Sequence, residues 1–185
     1  GDEPAGPMAI LRLLERNDWS SGDSLWLCPC LNPSGFLRNT RENALGVDLN
    51  RDYLARKTSE IQVHTAWLAS QPRFEMGIHL HEDWESKGFY LFELNPGDLS
   101  SRARSTIADV AGVCPIDASE TIEGFPAADG IIHPNVKPES RTDWPEAFFM
   151  VQEKTKISFT LEAPSDFPLL VRTQSLVTAV TSLLR

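Results

Sequence analysis

The stretch RFEMGIHLHE, residues 73–82, gives the clearest indication of the fold of this chain because its apolar and polar residues alternate. One face carries Phe74, Met76, Ile78 and Leu80, and the other carries Glu75, Gly77, His79 and His81. A period of two is typical of a β-strand that turns one face to a core. The sequence therefore predicts a strand here, with two histidines on one face near its C-terminal end.

The segments on either side alternate between strands and helices. Predicted strands cover 24–31, 89–94 and 156–164, and predicted helices cover 7–16, 58–70, 100–113 and 168–184. Residues 32–48 and 114–150 are rich in turn-forming residues and are predicted to be loops, the second with short strands. This order predicts an α/β fold, a three-layer α/β/α sandwich around a mixed, mostly parallel sheet. A length of 185 residues fits a single domain over 1–185.

The composition excludes some partners. A net charge of −9 argues against nucleic acid and anionic membranes, since phosphates would be repelled. No apolar run approaches the ~20 residues of a membrane span. The three cysteines are too few and odd in number for a disulfide framework, and we interpret Cys28 and Cys30 as small buried thiols. This usage indicates a reducing compartment, so a cytoplasmic location is expected. The oligomeric state is left open.

Metal-binding side chains are expected at the end of the predicted strand. Open α/β sheets place their sites beyond the carboxyl ends of the strands. His81 is nearer that end than His79, and an acidic pair follows it in "HED". We therefore predict His81 as a ligand and keep His79 as the second choice, while a purely structural role for both stays open.

Two stretches carry groups that suit a substrate carboxylate. In "GVDLNRDY", residues 46–53, Arg51 offers a bidentate fork and Asn50 a further donor. The alternative is a helix start capped by Asp48 or Asn50. In "LRNTREN", residues 37–43, Arg38 and Arg41 could form a local anion site in an acidic protein, or could simply be solvated.

Two carboxylates complete the candidate set. Glu162 closes an apolar run in "SFTLEAPS", so it is either paired or available for acid–base chemistry with a raised pKa. Glu3 in "GDEPAGP" lies in a loop next to a helix N-terminus, where the helix dipole favours an acid.

Together, and in this order, these motifs resemble the zinc carboxypeptidases (metallopeptidase family M14), including their murein-peptide amidase-like and succinylglutamate desuccinylase/aspartoacylase-like relatives. The matching stretches are "GDE" of an expected "HGDE", "LRNTREN", "GVDLNRDY", "HLHEDWES" and "FTLEAPS". The resemblance implies a zinc cofactor and these roles: zinc ligands Glu3 and His81, general base and acid Glu162, oxyanion stabilisation by Arg38, and binding of the substrate carboxylate by Asn50, Arg51 and Arg41.

The chain departs from the family pattern in three places. The family has its first zinc histidine immediately before the position of Gly1, after further strands, so the resemblance implies an N-terminally incomplete catalytic domain. Larger members use a tyrosine late in the chain, whereas here Tyr53 and Tyr90 both precede the catalytic glutamate, and Trp144 is the substitute we consider. His79 stands where the shorter relatives often have an acid.

The expected function is that of a zinc metallocarboxypeptidase that hydrolyses the amide bond next to a free carboxylate, in a peptide C-terminus or a cell-wall peptide. One alternative is an N-acyl-amino-acid deacylase of the succinylglutamate desuccinylase/aspartoacylase type. Another is a catalytically inactive module that keeps the carboxylate-binding groups but holds no zinc.

Overall fold

The structure of the chain, a computed structural model, describes residues 1–16, 22, 24–135 and 137–185. The helices of the described part are α1 (Ala5–Leu14), α2 (Pro33–Arg38), α3 (Ser59–Ser70), α4 (Ala103–Val110), α5 (Glu146–Glu153) and α6 (Leu169–Leu183). The strands are β1 (Met76–Asp83), β2 (Tyr90–Leu94), β3 (Thr121–Ile122), β4 (Phe125–Ala128), β5 (Ile131–Ile132) and β6 (Ile157–Pro164). No helix of the described part is long and apolar enough to cross a bilayer.

The six strands form one mixed sheet in the order β1-β6-β2-β5-β4-β3. The mixed α/β architecture predicted from the sequence is confirmed, but its parallel majority is not. Among the described residues, β1–β6 and β2–β5 are parallel, whereas β2–β6, β4–β5 and β3–β4 are antiparallel. Parallel neighbours need a crossover of about a dozen residues or more. Residues 84–89, which connect β1 to β2, are too few, so β2 runs opposite to β1 and β6.

Helices cover both faces of the sheet. On one face, α1, α4 and α6 pack against the fully buried side chains of Phe159, Leu161 and Ala163 on β6. On the other face, α5 contacts β1 and β6. The helix α3 packs on α5 in a second cluster formed by Leu49, Tyr53, Ile61, Leu68, Phe149 and Met150. The second face of the sheet is therefore covered only in part, and its C-terminal edge stays open.

The predicted strand over 24–31 is wrong, because these residues form neither strand nor helix. Pro29 has no N–H to donate to a ladder, and Pro within such a run disfavours a strand. The ring of Trp26 instead lies tilted against those of Trp67 and Phe74, with centroids 6.0 Å apart in each pair, and the Trp67 contact holds the segment against α3. Cys28 and Cys30 are exposed rather than buried.

Two helices lie in segments that were predicted to be loops. In α2, Pro33 stands in the first turn and Asn32 caps the helix by accepting from the N–H of Gly35. In α5, Pro145 precedes the first residue, and Ala147–Met150 are buried. The remaining predicted helices and strands are present, with ends that shift by up to a few residues.

The register of the sheet brings three polar residues into one row. His81 on β1 lies opposite Glu162 on β6, and Glu162 lies opposite Tyr90 on β2. Because β1 and β6 are parallel, their carboxyl ends meet at the same edge of the sheet. The row therefore lies at the open C-terminal edge, on the face of α5.

Candidate active site

The centre of the site is a contact between Glu3 and His81. The Oε2 atom of Glu3 lies 2.7 Å from Nδ1 of His81, and it also accepts from the backbone N–H of Glu82 at 3.1 Å. Glu3 precedes α1, and His81 lies near the end of β1, so the packing of α1 against the sheet brings them together. Two predicted ligands that are 78 residues apart in the chain thus meet.

In this pair, each charged side chain stabilises the ionised form of the other. Burial opposes ionisation of Glu3, but the charge and hydrogen bond of His81 and the N–H of Glu82 outweigh it and lower the pKa of Glu3 to about 2. Burial also disfavours the imidazolium of His81, yet Glu3, with smaller help from Glu162 and Glu146, raises the pKa of His81 to about 10. Without a metal, the pair is therefore a carboxylate with an imidazolium.

A carboxylate oxygen and an imidazole nitrogen are donors that zinc takes in proteins. Two such ligands on one tetrahedral zinc stand about 3.3 Å apart, so the pair at 2.7 Å is already close to the required separation. Catalytic zinc uses three protein ligands. Within the described ranges, no group of three or more His, Cys, Asp or Glu side chains is arranged to hold a metal ion. The pair fits a zinc ion as two of its ligands.

Glu162 is the acid–base candidate of the row. Its side chain is half-buried on the strand next to His81, on the same face. Burial raises the pKa of Glu162 well above its usual range; the charge of His81 opposes this, and Glu3, Glu123 and Asp83 add to it. A carboxyl group that holds a proton more readily than usual is suited both to accept a proton and to deliver it again.

Tyr90 occupies the third position of the row. It is fully buried, and its hydroxyl lies 3.0 Å from Oδ2 of Asp83 and 3.2 Å from Oε1 of Glu123. The hydroxyl is thus already engaged by carboxylates. Trp144, the substitute considered for a late tyrosine, is partly buried against the cluster on α3 and α5.

The predicted anion-binding residues lie in two different environments, with Arg41 and Asn50 near the site and Arg38 and Arg51 exposed. Arg41 lies at the site, with Nη1 3.9 Å from Oε1 of Glu3 and Nε 2.8 Å from Oδ2 of Asp48. Asn50 is half-buried, and its Oδ1 accepts from the backbone N–H of Glu146 at 2.9 Å. Arg38 and Arg51 are exposed, and Arg51 donates to the carbonyl of Asn50.

A cavity of about 910 Å³ lies beside the Glu3–His81 pair. Its polar lining includes Glu3, Arg41, Asn50, His79, His81 and Glu146. Arg38, Arg51 and Glu162 are not among its described lining residues. An anionic substrate group in the cavity would have Arg41 and Asn50 in its lining, and Arg41 lies close to Glu3 of the Glu3–His81 pair.

His79 has different contacts from His81. It is buried, with Nε2 2.9 Å from the hydroxyl of Ser158 and Nδ1 3.3 Å from Oε2 of Glu146. Glu146 also faces His64, whose Nδ1 lies 2.9 Å from the Tyr53 hydroxyl. Burial opposes ionisation of Glu146, but His79, followed by His64 and His81, lowers its pKa.

Glu146 and His64 were not predicted from the sequence as site residues. Glu146 lies in a segment predicted to be a loop. His64 lies inside a predicted helix, where nothing in the local sequence marks it as a site residue. A weak signal was available at Pro145, because a proline followed by an acid is typical of a helix start.

Comparison with known proteins shows similarity at the level of structure. No family model matches the chain, and no curated protein matches it. A "putative metallopeptidase" from Shewanella amazonensis is 22% identical with a TM-score of 0.82, over 99% of this chain and 72% of that one. Its counterpart from Shewanella baltica is 23% identical with a TM-score of 0.81, over 100% and 72%.

A further similar structure is the mDAP-bound form of the D,L-carboxypeptidase Csd4 from Helicobacter pylori. It is 20% identical with a TM-score of 0.70, and the match covers 99% of this chain but 47% of Csd4. The chain thus spans about half the length of Csd4. At these identities the likeness shows the fold alone, and this chain has a metallopeptidase-like α/β fold.

Proposed function

We propose that this chain forms the catalytic part of a zinc-dependent metallocarboxypeptidase, which hydrolyses the amide bond next to a free carboxylate of a peptide. The observation that carries the proposal is the meeting of Glu3, His81 and Glu162 at one edge of the sheet. These are the residue types that a zinc peptidase needs: metal donors beside a carboxyl group of raised pKa. The fold shared with metallopeptidase structures supports it.

In this proposal, Glu3 and His81 hold the zinc ion. When bound, zinc lowers the pKa of a water molecule to about 7 and polarises the scissile carbonyl. Glu162 takes the proton of the attacking water and then delivers it to the leaving amine. Arg38 remains the predicted group for the oxyanion, although it lies exposed at the end of α2.

The substrate carboxylate is assigned to Arg41 and Asn50. Because Oδ1 of Asn50 accepts from the N–H of Glu146, the Nδ2 amide group is the part of Asn50 left to donate. The guanidinium of Arg41 is about half exposed and lines the same cavity. A guanidinium beside an amide donor suits a carboxylate. Arg51 remains a prediction for an additional carboxylate-binding residue.

Metal removal tests the proposed function. We expect the protein to release the C-terminal residue of peptides and cell-wall peptides, to lose this activity with a chelator, and to regain it with zinc. Mass spectrometry of the products over a panel of peptides and N-acyl amino acids is the measurement. Cleavage of acyl amino acids alone would favour the deacylase alternative. An absence of zinc-dependent amide cleavage across the panel would overturn the proposal and favour an inactive binding module.

The substrate carboxylate gives a second prediction. Arg41→Met is expected to raise KM about 10- to 150-fold, because a charge-assisted hydrogen bond contributes about 1.5–3 kcal/mol, while kcat changes little. The measurement is steady-state kinetics on one peptide with a free C-terminus. Arg104→Met, an exposed change on α4, is the control. An equal KM for Arg41→Met and the control would remove Arg41 from this role.

A further inference from the structure

Glu82 is buried on the opposite side of the sheet from the row of site residues. It follows His81 in β1, so its side chain points to the other face, toward α1 and α6. Its side chain has no exposed surface. A carboxylate in such a position needs partners, because an unpaired buried charge is strongly destabilising.

Both oxygens of this carboxyl group are engaged. Oε1 accepts from the backbone N–H of Ala5, the first residue of α1, at 2.5 Å. Oε2 contacts Nη1 of Arg172 on α6, whose side chain is largely buried. The residue at the N-cap of α1 is Pro4, which provides no side-chain cap. Glu82 therefore supplies from another element the acceptor that a capping residue would give.

The same residue holds the segment before α1 at two points. The backbone N–H of Glu82 donates to Oε2 of Glu3, and its side chain fixes the helix start two residues later. On the N-terminal side of Glu3, a Cβ placed on Gly1 would clash with the backbone of Gly35 in α2 and of Thr40 after it, so this glycine packs tightly against α2 and the following loop. Glu3 thus lies between two fixed points of the chain, the packing of Gly1 and the hydrogen bond of Ala5 to Glu82.

We propose that Glu82, held in place by Arg172, is a positioning residue that fixes Glu3 in the orientation in which it binds zinc. The inference rests on the proposed function, since it takes Glu3 as a ligand. Groups that orient a metal ligand from behind typically change metal affinity about 10- to 100-fold when they are removed. The reason is that a loosely held ligand has to be ordered at the moment of binding.

Two matched double variants test this role. Glu82→Met with Arg172→Met removes both charges and leaves the N–H of Ala5 without its acceptor. Glu82→Gln with Arg172→Met removes the same charges but keeps an amide oxygen for Ala5. Removing both charges avoids an unpaired buried ion, so both variants are expected to fold. Calorimetric titration with zinc chloride is expected to show affinity about 10- to 100-fold below wild type for the first variant, and within about threefold for the second.

Hydrogen exchange adds a readout that needs no metal. The Ala5 amide is expected to exchange faster in the methionine variant than in the glutamine variant. Glu93→Met is the control for general destabilisation, because Glu93 is an equally buried acid of the same sheet that bonds to Asn95 and Ser101 away from the row. It should lower thermal stability without changing zinc affinity.

The outcomes separate the two proposals. Equal zinc affinity in both double variants would show that Glu82 is merely structural, and it would leave the zinc site standing. If the wild-type protein binds no zinc, the proposed zinc site and the positioning role both fail. If Glu3→Gln does not weaken zinc binding, Glu3 is not a ligand; the positioning role then fails, and the proposed zinc site keeps His81 but loses Glu3.

Discussion

Glu162→Gln is expected to lower kcat about 100- to 10,000-fold, which is the range that a positioned general base contributes. Glutamine keeps the size of the side chain but can neither take the proton of water nor return it to the leaving amine. Because Glu162 is not placed as a metal ligand or as the carboxylate anchor, KM and zinc affinity should stay close to wild type. Steady-state kinetics and zinc titration on the purified variant are the measurements.

The buried acid on the neighbouring strand serves as the control for Glu162. Glu93→Gln removes a more deeply buried carboxylate from β2, away from the site, and should leave kcat unchanged. A kcat for Glu162→Gln within a few-fold of this control would show that another group carries the proton transfer.

His81→Ala is expected to abolish measurable activity and to weaken zinc binding by more than about 100-fold, since even groups behind the ligands cost about 10- to 100-fold. The variant removes the imidazole that lies 2.7 Å from Glu3. Zinc content by elemental analysis and zinc affinity by calorimetry measure the effect.

The other histidine on the same strand face provides a matched comparison. His79→Ala leaves the Ser158 hydroxyl and the Glu146 carboxylate without their partner. We expect it to lower the free energy of unfolding by about 1–3 kcal/mol and to change zinc affinity by less than about tenfold. If His79→Ala loses zinc and His81→Ala keeps it, the assignment of the two histidines is reversed.

Local pattern explains which elements the sequence could predict. The alternation around β1 and the apolar runs in β2 and β6 mark strands without knowledge of their neighbours. The helix α5 lies in a segment rich in Pro, Gly and Asp. Its helical periodicity is therefore masked by neighbouring residues that usually interrupt helices. The error at 24–31 has a similar origin, since an apolar run bounded by turn residues looks like a strand whether or not a partner strand is available.

Which chemical groups are present, and in what order along the chain, is read directly from the amino-acid sequence. The motif contexts of Glu3, Arg41, Asn50, His81 and Glu162 suggested a shared site only through their resemblance to the zinc carboxypeptidases. The tertiary structure places Glu3 and His81 in direct contact, with Glu162 beside His81. Arg38 and Arg51, predicted from the same contexts, lie exposed instead.

The different partners of the two histidines of β1 are visible only in the tertiary structure. They share a strand face and a residue type, and the sequence favoured His81 only by its place near the strand end and by the acidic pair that follows it. The packing of α5 brings Glu146 against His79, and the packing of α1 brings Glu3 against His81. Contacts between residues that are 78 positions apart depend on sheet register and helix packing, which are not properties of any short stretch of sequence.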